Sequence, residues 1–91
     1  MTDPNLSNPL DNVRPVYSIF DRVAGFYCPL FIAENDDHAK RMMMQSIDLN
    51  HKEDYELVFL GTFNSDKGDL YSDPNPKIIL KGKNIQEGPK K

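Results

Sequence analysis

Tryptophan is absent from the 91 residues, cysteine occurs once at Cys28, and histidine only at His38 and His51. A lone cysteine rules out an intramolecular disulfide, leaves a cysteine-based zinc site short of thiolates, and suits a reducing cytosol. A helix over the intervening residues would hold the two histidines roughly 20 Å apart, which argues against a shared metal. The five glycines form neither a phosphate loop nor a dinucleotide fingerprint. No serine stands in a G-x-S-x-G elbow, and Cys28, within an apolar stretch, reads as packing rather than as a nucleophile. Apolar runs never approach the 18 residues of a membrane span, and the opening Met1-Thr2-Asp3-Pro4-Asn5 lacks the pattern of a signal peptide. The expectation is a non-enzymatic protein without cofactor, metal or membrane contact.

Five phenylalanines and four tyrosines are present, enough to anchor a core in so short a chain. The length allows one small domain. Charged residues make up 27% and the net charge is −3, unevenly spread. From Lys77 onward five lysines face only Glu87, so the C-terminal end is positive and the rest acidic. Lysines so grouped can touch phosphates without reading bases, whereas an acidic body repels nucleic acid. A solvated tail is the plainer reading of the same run.

Residues 1–14 hold Pro4, Pro9 and several Asn and Asp, and read as an irregular, flexible arm. The domain is expected over 15–82, followed by a frayed basic tail over 83–91. Val16–Phe20 reads as a strand and Phe26–Ile32 as its return, with Pro29 forcing an edge position or a bulge. Asn35 is a good N-cap, and Ala39, Met42, Met43 and Ile47 recur at helical spacing, closing near Leu49-Asn50. In the run Met42-Met43-Met44, the first two are expected inside and Met44 more exposed. Tyr55–Phe63 is the strongest strand, with Tyr55, Leu57, Phe59 and Phe63 on one face and Val58 and Leu60 on the other. A hairpin loop at 64–68 leads to a strand at 69–72, a break at Asp73-Pro74-Asn75-Pro76, and a last strand at 77–81. The fold class is therefore α+β: a small β-β-α-β-β(-β) domain with one helix on one face of an antiparallel sheet. The second face is left to the arm, to a partner chain or homodimer, or to solvent.

Exposed aromatics on a sheet can stack single-stranded bases while nearby cations hold phosphates. On that basis Arg22, Lys67, Lys77, Lys81 and Lys83 are candidate phosphate contacts, and Tyr17 and Tyr27 candidate stacking rings. Core packing is the competing role for the rings, and no nucleic-acid motif appears.

The stretch YSIFDRVAGFYCPLFIAEN, the AKRMMM of the helix and HKEDYELVFLGTFNSDKG together resemble the small nonstructural protein of gokushoviruses, single-stranded DNA phages of the Microviridae. The resemblance runs over roughly residues 15–72, with FDRVAG, PLF and EDYELVFLGTF its strongest elements. Lys52 stands where proline is expected in many relatives. The resemblance implies a non-enzymatic protein of the infected bacterial cytoplasm. It further implies DNA binding, or a role in turning replication from duplex toward single-stranded genome synthesis. Single-stranded DNA and the phage replication initiator are the partners it implies. A protein-interaction module acting on a host or phage protein, without a nucleic-acid role, is the alternative.

Overall fold

The structure, a computed structural model, describes residues 12–85. Residues 1–11 of the expected arm and 86–91 of the expected tail lie outside the described residues. Among the described residues the elements follow in chain order: β1 (Val13–Asp21), β2 (Phe26–Tyr27), β3 (Phe31–Ile32), α1 (Asp36–Ser46), 3-10 turns at Leu49–Asp54, β4 (Tyr55–Asn64), β5 (Asp69–Lys81) and a 3-10 turn at Gly82–Asn84. All pairings are antiparallel, in the order β2-β1-β4-β5, with β3 continuing beside β1 after β2. This is the expected α+β architecture.

Pro29 acts as its chemistry requires. Without an N–H it cannot join a ladder, and the return strand splits into β2 and β3 around Cys28-Pro29-Leu30 at the sheet edge. The Ser18 hydroxyl donates to the Cys28 carbonyl at 2.6 Å and stitches the interruption to β1. Asn35 caps α1, its side chain accepting from the His38 N–H at 2.9 Å. The helix ends earlier than its apolar spacing suggests. Ile47 leaves in extended geometry, and the Asp48 side chain accepts from the Asn50 N–H to start the 3-10 segment. Asn50 therefore does not close the helix.

Tyr17, Ile19, Ala33, Ala39, Met43, Leu57 and Ile85 form the core between α1 and the sheet. Met42 and Met44 both rest against it, so Met44 is not the outward residue of its run. The Tyr17 ring lies between Phe31 and Phe59, with both centroids at 5.9 Å, and its hydroxyl donates to Asp36 Oδ1 at 2.6 Å. That bond ties the first turn of the helix to the centre of β1.

Three further expectations are corrected. Asp73-Pro74-Asn75-Pro76 is not a break between strands but part of β5, bulging between the Gly61–Ser72 and Phe59–Lys77 pairs. Neither proline occupies a paired position, so neither is asked for a hydrogen bond. Leu60 is an extra residue between the Tyr17–Phe59 and Val16–Gly61 pairs, and such a bulge reverses the alternation beyond it. Phe63 pairs with Leu70 rather than joining the helix-side core. The domain also overruns both expected limits. β1 begins at Val13 inside the supposed arm, and Ile85 inside the supposed tail is buried in the core. Lys52 Nζ donates to the Ile85 carbonyl at 2.8 Å, and a Cβ on Gly82 would overlap the Lys52 carbonyl oxygen. The end of the domain is clasped against the 3-10 segment.

Candidate binding surfaces

The candidate phosphate contacts divide between the two ends of the sheet. Arg22 follows β1 in a turn where Gly25 takes a positive φ and the Asp21 carboxylate accepts from the Val23 and Ala24 N–H groups. The Arg22 N–H donates to the Asp54 carbonyl, its Nη1 to the Glu53 carbonyl at 3.0 Å, and its Nε lies 3.9 Å from Glu56 Oε2. Lys81 is the cross-strand partner of Glu56, and Lys83 sits on the following 3-10 turn. Arg22, Lys81 and Lys83 thus line one small depression of about 100 Å³ with Glu53, Tyr55 and Glu56. Three cations from three elements face two carboxylates, which leaves a modest positive excess. Partial burial, then the charges of Asp21 and Asp54, push the Tyr55 hydroxyl above the ordinary tyrosine value and keep it neutral.

Lys67 lies at the other end, in the turn after β4, where the Asn64 side chain accepts from the Asp66 and Lys67 N–H groups. At about 3.3 Å per residue, β4 holds it roughly 30 Å from Arg22, too far to share one phosphate cluster. Lys77 lies along β5, with Nζ 3.4 Å from Asp73 Oδ2 and 6.0 Å from the Phe59 ring centroid. The Asn75 N–H, then Lys77, holds the Asp73 carboxyl below the usual aspartate value.

The two candidate stacking rings part company. Tyr17 is fully buried and cannot receive a base; burial, then its bond to Asp36, pushes its hydroxyl well above the ordinary value. Tyr27 keeps 46% of its surface exposed beside Phe20, the ring centroids 4.9 Å apart. It lies on the sheet face away from the helix, because its partner Phe20 alternates with the core residue Ile19.

That outer face holds what sequence reasoning missed. A largely apolar depression of about 220 Å³ opens over Val16 and Leu60, walled by Leu30, Leu70 and Pro76, with Ser72 and Asp73 also lining it. Gly61 lies in it because a Cβ there would overlap the Tyr71 carbonyl oxygen. Ile78, half-exposed, stands beside it as the partner of Val58. The available signal was the run Val58–Leu60, apolar on both faces, followed at once by glycine.

His38 serves the helix start, its Nδ1 accepting from the Glu34 N–H at 3.0 Å. Among the described residues no three His, Cys, Asp or Glu side chains come together as a metal site, and no helix is long and apolar enough to cross a membrane.

A four-position antiparallel sheet with one helix on one side defines a small α+β protein whose accessible chemistry lies on its surface. The family model described as Phage ORF5 protein matches residues 15–85, and the chain belongs to that phage protein family. The matched span ends on Ile85, the last core residue among those described. Neither a curated protein nor a solved structure matches the chain.

Proposed function

We propose that this phage protein is a non-enzymatic accessory factor of single-stranded DNA genome replication, acting in the cytoplasm of the infected bacterium. The gokushovirus-like motifs support placing it in the Microviridae and in the turn from duplex to single-stranded synthesis. The observation that carries the DNA part is the convergence of Arg22, Lys81 and Lys83 on one depression, with Lys90 and Lys91 following in sequence. Glu53 and Glu56 in the same place keep the grip weak, as befits a protein of net charge −3.

Fluorescence anisotropy of a short labelled single strand, titrated across a salt series, tests this reading. Three phosphate contacts predict a slope of about −2 in log K against log salt. Arg22→Ala with Lys81→Ala should flatten that slope, and Lys67→Ala should leave it unchanged. Absence of binding at low salt would remove direct DNA contact from the account.

The outer sheet face favours a second reading, a protein-interaction module docking on the replication initiator or a host protein. Its depression is lined mostly by apolar side chains, and the one carboxylate lining it, Asp73, is paired with Lys77, a surface suited to protein rather than phosphate. Capture of the initiator from infected cells after nuclease treatment would support it, and loss of the initiator with the nucleic acid would count against it.

A further inference from the structure

We infer that the groove between the C-terminal end of α1 and the interruption at Cys28-Pro29-Leu30 binds a basic peptide segment of a partner protein, one that offers a large apolar side chain flanked by lysine or arginine. The inference goes beyond the replication role and uses the helix side of the sheet.

The groove exists because two elements stop short. The helix ends at Ser46 and Ile47 leaves it in extended geometry, whereas β1 runs on to Asp21 and pairs there with Tyr55, the first residue of β4. Pro29 keeps its own stretch out of the ladder between β2 and β3. Sheet end, helix end and interruption together border about 500 Å³. Ligand pockets typically take roughly 300–1,000 Å³. Buried Ile19 and half-buried Phe31, Met42 and Ile47 make its apolar lining. The unbranched thioether of Met42 can adapt to the shape of an incoming side chain.

The charge around this groove has one sign. Asp21 lines it, with Oδ1 accepting from the Val23 and Ala24 N–H groups. Tyr55 lines it too, and burial first, then Asp21, Asp54, Cys28 and Asp48, raises its hydroxyl above the ordinary value, so every charge acting there is acidic. Among the described residues Asp21, Asp48 and Asp54 form no ion pair. Arg22, next to Asp21, turns instead to the Glu53 carbonyl and to Glu56. The last turn of α1 adds the negative end of the helix dipole and carries no basic residue to offset it. An apolar hollow bordered by unpaired carboxylates repels a phosphate backbone. It suits a cationic segment that buries one apolar side chain.

Fluorescence anisotropy of short labelled peptides tests this: one of leucine and lysine, one with glutamate in place of lysine, and one with serine in place of leucine. The leucine–lysine peptide should bind saturably, weaken as salt rises, and shift the methyl NMR signals of Met42 and Ile47 while leaving that of Ile78 in place. The other two peptides should show no saturation up to about 1 mM. Ser46→Lys, which sets a cation at the exposed rim, should weaken binding about tenfold. Asp21→Asn with Asp54→Asn, which keeps the oxygen that accepts within the turn, should weaken it about fivefold. Asp37→Asn makes the same change of charge at the first turn of α1 and should leave binding unchanged. Circular dichroism checks that each variant folds, and should the paired aspartate variant fail, Ser46→Lys carries the same expectation. No saturation by the leucine–lysine peptide, equal binding of either control peptide, or binding indifferent to a folded Ser46→Lys variant would overturn the inference. So would an equal loss in Asp37→Asn. The measurement uses no nucleic acid and leaves Arg22, Lys81 and Lys83 in place, so this inference and the DNA reading fail separately.

Discussion

The two faces of one sheet carry similar side chains to different ends. On the helix side, Tyr17, Ile19 and Leu57 are sealed by Ala39 and Met43, with Ile85 closing the same core from the C-terminal end. On the other side, Phe20, Val58 and Leu60 alternate with those residues along the same strands, and Val58 meets half-exposed Ile78 across the pair with β5. Alternation alone makes both faces apolar; α1 closes one, and on the other Val16 and Val58 are buried without it while Leu70 and Ile78 stay half-exposed.

Paired substitutions break or sharpen this contrast. Leu57→Ala should cost about 3 kcal/mol or more by urea denaturation, since it opens a void in a sealed core. Ile78→Asp on the neighbouring strand should change stability by about 0.5 kcal/mol or less. Gly82→Ala should cost about 2 kcal/mol, because its new methyl meets the Lys52 carbonyl and loosens the clasp that holds Ile85. Replacing Asn35 with Ala should cost about 1 kcal/mol through loss of the cap on α1.

Tyr17→Phe should also cost about 1 kcal/mol at neutral pH, since the freed Asp36 carboxylate is exposed and rehydrates. Its signature is pH dependence. The folded chain holds the Tyr17 proton more tightly than the unfolded one, so this contribution is complete below pH 10 and is lost as pH rises through the higher folded value. Alkaline denaturation series on both proteins should therefore converge above pH 10. The smallest effect is at Asp73. Its lowered carboxyl contributes at neutral pH and loses that contribution as pH falls through the folded value, readable as an NMR titration midpoint below that of an ordinary aspartate.

Features governed by local chemistry were legible in the sequence. The Asn35 cap, the interruption at Pro29, the glycine turns at Gly25 and Gly68 and the helical spacing of Ala39 and Met43 each depend on a few adjacent residues. What escaped depends on register between distant strands. The Leu60 bulge exists only in the pairing of β4 with its neighbours, and it sends Phe63 to the face opposite the one its spacing suggests. Pro74 and Pro76 look like breakers until pairing with β4 shows that they fall where no hydrogen bond is needed. Ile85 looked like part of a charged tail because the Lys52 and Gly82 contacts that bury it come from elsewhere in the fold. For the candidate site, Arg22, Lys81 and Lys83 converge while Lys67 and Tyr17 do not; sequence supplied the residue types and the fold alone supplied the grouping.

The contrast between the faces is tested most directly by methyl NMR with a soluble paramagnetic probe, comparing Met43 and Ile78. The account predicts that the Met43 methyl is shielded and that Ile78 is reached by the probe. An Ile78 methyl as shielded as that of Met43 would contradict it.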